Sequence, residues 1–175
     1  MSNVDLFFYI YNLNGQFWLL DQLMIFATSP LIYIVFLLIL LLGIKGGIKE
    51  KKALLLIVVA LPIAVLLIKI IHIFLFEPRP FVAFNLIPLV SESPESASFP
   101  SRHATITAVF AFAYTYFKSK WWPIAIVLML WIGLSRIYVG VHYPLDVVAG
   151  FSLGGVSVFV TAQITKVLKK AMLSV

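Results

Sequence analysis

The chain has 175 residues, of which 62% are hydrophobic and only 11% charged. Such a chain lacks the polar surface to cover a water-soluble globule, so lipid is its solvent, and the absence of cysteine excludes disulfide frameworks and thiolate metal sites. The net charge of +6 does not point to nucleic acid, because nine of the ten lysines fall in three clusters at the ends of long apolar runs (Lys45, Lys49, Lys51 and Lys52; Lys118 and Lys120; Lys166, Lys169 and Lys170), the pattern of cytoplasmic loops.

In chain order, residues 1–25 mix apolar side chains with Asp5, Asn12, Asn14, Gln16, Asp21 and Gln22, and carry no lysine or arginine. They read as one or two amphipathic helices lying along the membrane surface. They lack the basic start and the cleavage site of a signal peptide, so the N-terminus is expected to be kept. Five runs then approach the roughly 20 residues needed to cross a hydrocarbon core: 26–44, 53–76, 102–117, 121–138 and 145–167. The third and fourth are short. Pro62 interrupts the second, where neighbouring helices can satisfy the freed carbonyl. The expected fold is therefore an all-α polytopic membrane bundle of five transmembrane helices, or six if the N-terminal segment also crosses, in a single domain over residues 1–175. With the lysine clusters inside, the N-terminus and the segments 77–101 and 136–144 lie outside.

All three arginines and two of the three histidines lie in or beside those two outer segments. Glu77-Pro78-Arg79-Pro80 ends the second span, with prolines fixing the backbone on both sides of Arg79. Phe99-Pro100-Ser101-Arg102-His103 opens the third; Ser101 is a natural N-cap, and a helix start with its positive dipole end suits an anion. Ser135-Arg136 is followed by His142-Tyr143-Pro144-Leu145-Asp146, where a helical turn would put His142 and Asp146 on one face. Taken singly, each has a plainer explanation: a snorkelling arginine, a helix cap, a first-turn charge, an interfacial histidine. Gathered on one membrane face, ionisable groups this costly indicate a functional site.

The chemistry they suit is phosphoryl transfer. Arginine forks match phosphate oxygens and can stabilise the charge of the transition state. One histidine oriented by a carboxylate can attack phosphorus, and a second can protonate the leaving oxygen. The rival is a metal bound by His103, His142 and Asp146, against which three neighbouring arginines would repel a cation.

In order and spacing, Arg79-Pro80, Pro100-Ser101-Arg102-His103 and Ser135-Arg136…His142…Asp146 resemble the signature of the type 2 phosphatidic acid phosphatase superfamily. The strings FEPRPFVA, SFPSRH and SRIYVGVHYPLD resemble most its bacterial undecaprenyl-diphosphatases of the bacitracin-resistance kind. The resemblance covers a core of about residues 69–146. It implies a metal-independent phosphatase without cofactor that acts on a lipid phosphate or diphosphate. It further implies His142 as the nucleophile forming a phosphohistidine, Asp146 as its orienting group, His103 as the acid, and Arg79, Ser101, Arg102 and Arg136 as phosphate ligands. Two positions depart from the signature. His72 stands where the family has lysine, with Lys69 one turn deeper in the span, and Arg102 replaces a glycine. Lys69 is expected to face inward and to bring its ammonium to the phosphate beside His72. The expected partners are the lipid substrate and membrane lipids, not nucleic acid, and the oligomeric state is open. The alternatives are a phosphatidylglycerophosphate or phosphatidic acid phosphatase and, in another class, a non-catalytic lipid-binding or transport protein.

Overall fold

Prolines and glycines decide where the helices of this chain start. In the computed structural model, which describes residues 2–173, all regular secondary structure is helical. α1 (Asn3–Tyr11) opens on a capping box in which the Ser2 hydroxyl accepts from the Asp5 amide and the Asp5 carboxylate accepts from the Ser2 amide. α2 (Trp18–Thr28) turns by 48° at Ser29 into α3 (Pro30–Lys45), whose first residue is a proline. α4 (Ile48–Phe74) runs unbroken through Pro62. A single turn, α5 (Pro80–Ala83), precedes α6 (Arg102–Tyr116), α7 (Trp122–Tyr138) and α8 (Pro144–Leu173).

From α3 onward the long helices alternate in direction, which sorts the charges. Lys49 Nζ donates to Lys118 O at 3.0 Å, and Lys166 lies 5.5 Å from the Tyr116 ring, so all three lysine clusters gather at one end. The buried Glu50 carboxylate accepts from Ser119 Oγ at 2.5 Å and clasps the α3–α4 turn to the α6–α7 turn. The three arginines and the two histidines of the motifs lie at the opposite end.

α6 forms the centre and is buried nearly all round, from Ala104 through Tyr114. It packs most extensively on α8, parallel to it and at close range. A Cβ added at Gly150 would meet Ser101 O at 2.8 Å and Ala104 Cβ at 2.9 Å; one at Gly154 would meet Thr105 O and Ala108 Cβ, both at 2.6 Å. Gly150 and Gly154 are four apart, so the pair works as a small-residue seam of the kind that drives helix association in lipid. α4 offers α6 a face of Ala53, Ala60, Ala64 and Ile68. The outer faces of α3, α4, α7 and α8 expose a continuous apolar surface, including Leu37, Leu55, Val58, Leu66, Ile73, Val127, Val148 and Phe159. Water would not tolerate a surface of that extent. The chain is a membrane protein.

One boundary changes. α4 and α8 are each long and apolar enough to cross a membrane, and α2 with α3 passes the same test as one bent unit. α6 and α7, at 15 and 17 residues, extend only about 22 and 26 Å against a hydrocarbon core of about 30 Å. The first apolar unit thus begins at Trp18 and not at residue 26. The N-terminal segment, read as lying along the membrane surface, docks on the bundle at its arginine end. Phe7 is fully buried among Tyr11, Tyr143 and Phe8, the Tyr11 hydroxyl donates to Ile87 O, and Leu145 N donates to Asn3 Oδ1. At nine residues α1 is too short for a crossing of its own.

Candidate active site

Four chain segments meet at the arginine end. Extended backbone after α4 delivers Arg79, and the loop of residues 84–101 folds back so that Ser98 N donates to Glu77 O at 2.8 Å. Ser101 caps α6 and its own amide donates to Asp146 O at 3.0 Å, tying the start of α6 to the start of α8. Arg136 ends α7. The turn that follows needs Gly140, whose φ of +87° places a side chain in a disfavoured region and within 2.8 Å of the Tyr11 ring. That turn presents His142 with 1% of its surface exposed.

The imidazole of His142 is held at both nitrogens. Nδ1 lies 3.4 Å from Asp146 Oδ2 and 3.4 Å from Ser98 Oγ. Asp146 Oδ2 is itself fixed, accepting from Ser98 Oγ at 2.6 Å and from the Tyr143 amide at 2.8 Å. Nε2 lies 3.1 Å from Arg79 Nη1, and a guanidinium can only donate. Nε2 is therefore the unprotonated nitrogen and carries the lone pair, and the proton sits on Nδ1, facing Asp146. Burial, then the charges of Arg136 and Arg79, hold His142 well below the ordinary imidazole pKa, so the ring is neutral. The result is a neutral imidazole with a defined tautomer and a lone pair on Nε2.

The tautomer can be measured. In ¹⁵N-histidine spectra, assigned with single His→Gln variants, His142 should remain neutral with its proton on Nδ1 at pH values below the ordinary imidazole pKa of about 6.5. An imidazolium at this position at neutral pH would contradict the assignment. Linkage has a definite sign here: the unfolded chain binds the proton below about pH 6.5 and the folded chain does not, so this site lowers stability as the pH falls through that range.

The cationic half of the site is equally built. Arg79 is buried; its Nη1 also donates to Val141 O at 3.1 Å and its Nε to Ser96 Oγ at 2.9 Å. Burial lowers its pKa to about 10, which leaves it charged at neutral pH. Arg136, also buried, donates from Nη1 to Thr28 Oγ1 at 3.0 Å and pairs from Nη2 with Glu92 Oε1. Its Nε has no hydrogen-bond partner among the described residues and is a free donor for an anion. Glu92 Oε2 lies 3.9 Å from Arg79 Nη2, so one carboxylate bridges the two arginines.

Arg79, Ser101, Arg136, His142 and Asp146 thus come together as the motifs suggest. His103 is half-buried in the first turn of α6, without a side-chain hydrogen bond among the described residues, and within electrostatic reach of Arg136, Glu92 and His142. Arg102 is exposed beside it. His72 Nε2 lies 3.4 Å from Pro100 O, against the backbone that leads into α6. The expectation for Lys69 fails: it is exposed and makes no hydrogen bond or ion pair among the described residues. The inward face of α4 runs through Ala60, Ala64 and Ile68, and the next residue, Lys69, is turned away from it by about 100°. No group of three His, Asp or Glu side chains among the described residues is arranged to hold a metal ion.

Sequence reasoning missed Glu92, Ser96, Ser98 and Thr28. Ser98 begins the SFPSRH string and Glu92 is one of only seven acidic residues in the chain, so both left a trace. Thr28 left none: it meets Arg136 across 108 positions of sequence.

With this geometry in hand, likeness to known proteins becomes informative. The profile of the PAP2 superfamily matches residues 53–170. The undecaprenyl-diphosphatase BcrC of Bacillus subtilis is 34% identical over 146 residues, covering 83% of this chain and 75% of that protein. The bacitracin transport permease protein BcrC of Bacillus licheniformis is 31% identical over 155 residues, covering 89% of this chain and 76% of that protein. The crystal structure of the first transmembrane PAP2 type phosphatidylglycerolphosphate phosphatase from Bacillus subtilis superposes with a TM-score of 0.72 at 26% identity, over 94% of this chain and 84% of that one. The sequence match and the shared fold agree with the motifs, and the chain belongs to the PAP2 superfamily.

Proposed function

We propose that this phosphatase removes the terminal phosphate of a lipid diphosphate, undecaprenyl diphosphate foremost, through a phosphohistidine at His142. The observation that carries the reading is the unprotonated Nε2 of His142 beside Arg79, with Nδ1 backed by Asp146. The phosphate would take the place of the Glu92 carboxylate on Arg79 and Arg136, with Ser101 and the first amides of α6 beside it. Nε2 then forms the N–P bond as the P–O bond to the lipid phosphate breaks, and His103, which takes up a proton from water as the phosphate's negative charge enters beside it, gives that proton to the leaving oxygen. Asp146 stabilises the positive charge that develops on the ring. In the second step His103 takes a proton from water, the oxygen attacks phosphorus, and the N–P bond breaks to regenerate neutral His142 and release phosphate.

The name of the Bacillus subtilis relative supports the prenyl diphosphate, and so does the exposed Arg102 beside the site, a cation available to the second phosphate. Likeness to the solved Bacillus subtilis phosphatidylglycerolphosphate phosphatase favours phosphatidylglycerophosphate as the second candidate. Transport, suggested by the name of the Bacillus licheniformis relative, leaves the His142–Asp146 pair without a purpose. Purified protein in detergent should release phosphate fastest from undecaprenyl diphosphate, more slowly from phosphatidylglycerophosphate and phosphatidic acid, and in the presence of EDTA. Preference for a glycerolipid phosphate would move the assignment to the second candidate, no release from any would return it to transport, and loss of turnover in EDTA would revive the metal reading.

The positive-inside rule supports a cell-membrane location with the site on the extracytoplasmic face, opposite the lysines. The exposed Ser93 and Lys51 test it, since the chain has no native cysteine. Ser93→Cys should react with an impermeant thiol reagent on intact cells and Lys51→Cys only after permeabilisation. The reverse pattern would invert the topology.

A further inference from the structure

Both arginines that the proposed mechanism needs for phosphate are already occupied by Glu92. Its Oε1 pairs with Arg136 Nη2, and its Oε2 lies 3.9 Å from Arg79 Nη2. The other nitrogen of that same guanidinium, Nη1, touches the nucleophilic Nε2 of His142. The carboxylate therefore lies one guanidinium away from the reacting nitrogen, where a phosphate would go. Only 16% of the Glu92 side chain is exposed. Burial favours its neutral form, but Arg136 and Arg79 outweigh that and keep it ionised. Glu92 belongs to the 84–101 loop and not to a helix, so it can leave without disturbing the bundle.

We infer that Glu92 is a specificity-determining residue that reserves the arginine pair for phosphomonoesters and diphosphates against the phosphodiesters of the surrounding membrane. A site of two arginines at a lipid surface faces a large excess of phospholipid headgroups, each with one negative charge on phosphorus. A tethered carboxylate competes at high effective concentration. A phosphodiester that displaces it exchanges one negative charge for one and gains nothing. A phosphomonoester dianion or a diphosphate brings at least one more charge to the same two guanidinium groups and wins the exchange. The tethered carboxylate weakens both ligands by the same factor, and the discrimination is one of occupancy: a phosphodiester that binds no better than the tether leaves the arginines free, while a diphosphate still fills the site.

The inference rests on the reading of Arg79 and Arg136 as phosphate ligands, and the test separates the two. Purified wild type, Glu92→Gln and Glu92→Asp would be assayed on farnesyl diphosphate in detergent micelles with increasing phosphatidylglycerol. Glu92→Gln should lower KM about tenfold or more, the scale of one charge-assisted contact given up by the free enzyme, and phosphatidylglycerol should become a competitive inhibitor. Glu92→Asp keeps the charge but withdraws it by one methylene, and should move both readouts the same way by less; it decides the matter if Glu92→Gln does not fold. Unchanged KM with unchanged phosphatidylglycerol sensitivity would overturn the inference. So would a fall in kcat at constant KM, which would make Glu92 a positioning residue. Thermal protection by inorganic phosphate supplies the separate check. Its loss in Arg79→Ala and Arg136→Ala supports the ligand reading, so failure of the Glu92 variants alone then removes only the guard. Protection retained in both arginine variants overturns the reading and the guard with it.

Discussion

His142→Gln will form no phosphoenzyme and will lose about 10⁴-fold or more in kcat/KM, the scale seen when a hydrolase loses its nucleophile or base. The size of the effect follows from what the ring alone provides. Nε2 carries its lone pair beside Arg79, and its orientation comes from Asp146 and Ser98 behind it. His103→Gln should behave differently. It should slow turnover of a lipid diphosphate yet still give an acid-labile phosphoenzyme from a substrate with a good leaving group, because acid assistance matters less there. Phosphohistidine recovered from His142→Gln after rapid quench would remove His142 from the nucleophile's role and transfer it to His103.

Gly154→Leu should be nearly as damaging although it lies well below the site. A first side-chain carbon there already comes within 2.6 Å of Thr105 O and Ala108 Cβ, and neither can move without the α6 backbone. Leucine adds three more carbons, so α6 and α8 must part. Overpacking of this kind costs about 1–3 kcal/mol or more, and a shift of about 1 Å at a catalytic site can cost about a hundredfold in rate. The same two helices carry the Ser101–Asp146 link at their upper ends, so the distortion reaches the nucleophile. Lower thermal stability, measured by size-exclusion chromatography after heating, should accompany the loss of turnover. Gly155→Ala is the control, since its new carbon meets only the Phe112 ring at 3.1 Å. Wild-type stability and turnover in Gly154→Leu would show that the seam is not as tight as described.

The chemistry of this chain was more legible than its geometry. Ionisable groups are rare in apolar helices, so Arg79, His103, Arg136, His142 and Asp146 stood out, and their spacing at helix ends made their convergence readable. The phase of α4 was not readable. In a soluble helix the apolar stripe marks the inner face, but in lipid both faces are apolar, and inward orientation is set by small residues such as Ala60 and Ala64. That is why Lys69 was expected at the phosphate and lies outside it. The Ser29–Pro30 bend divides a run that hydropathy alone cannot divide. Glu92 and Thr28 could not be predicted as partners of Arg136 because nothing local connects them across 44 and 108 positions.

The parallel pairing of α6 and α8 has an electrical consequence. Two helices lying side by side in the same direction have aligned macrodipoles that repel each other, and low-dielectric surroundings screen that repulsion poorly. Here each pole meets its complement. The two N-terminal poles, each equivalent to about half a positive charge, open toward the Asp146 carboxylate in the first turn of α8 and the position proposed for the phosphate; the two C-terminal poles run toward Lys118, Lys120, Lys166, Lys169 and Lys170. An anion at one end and ammonium groups at the other turn an unfavourable alignment into a favourable one. The backbone thereby supplies the arginine end of the bundle with roughly one unit of positive charge that cannot titrate.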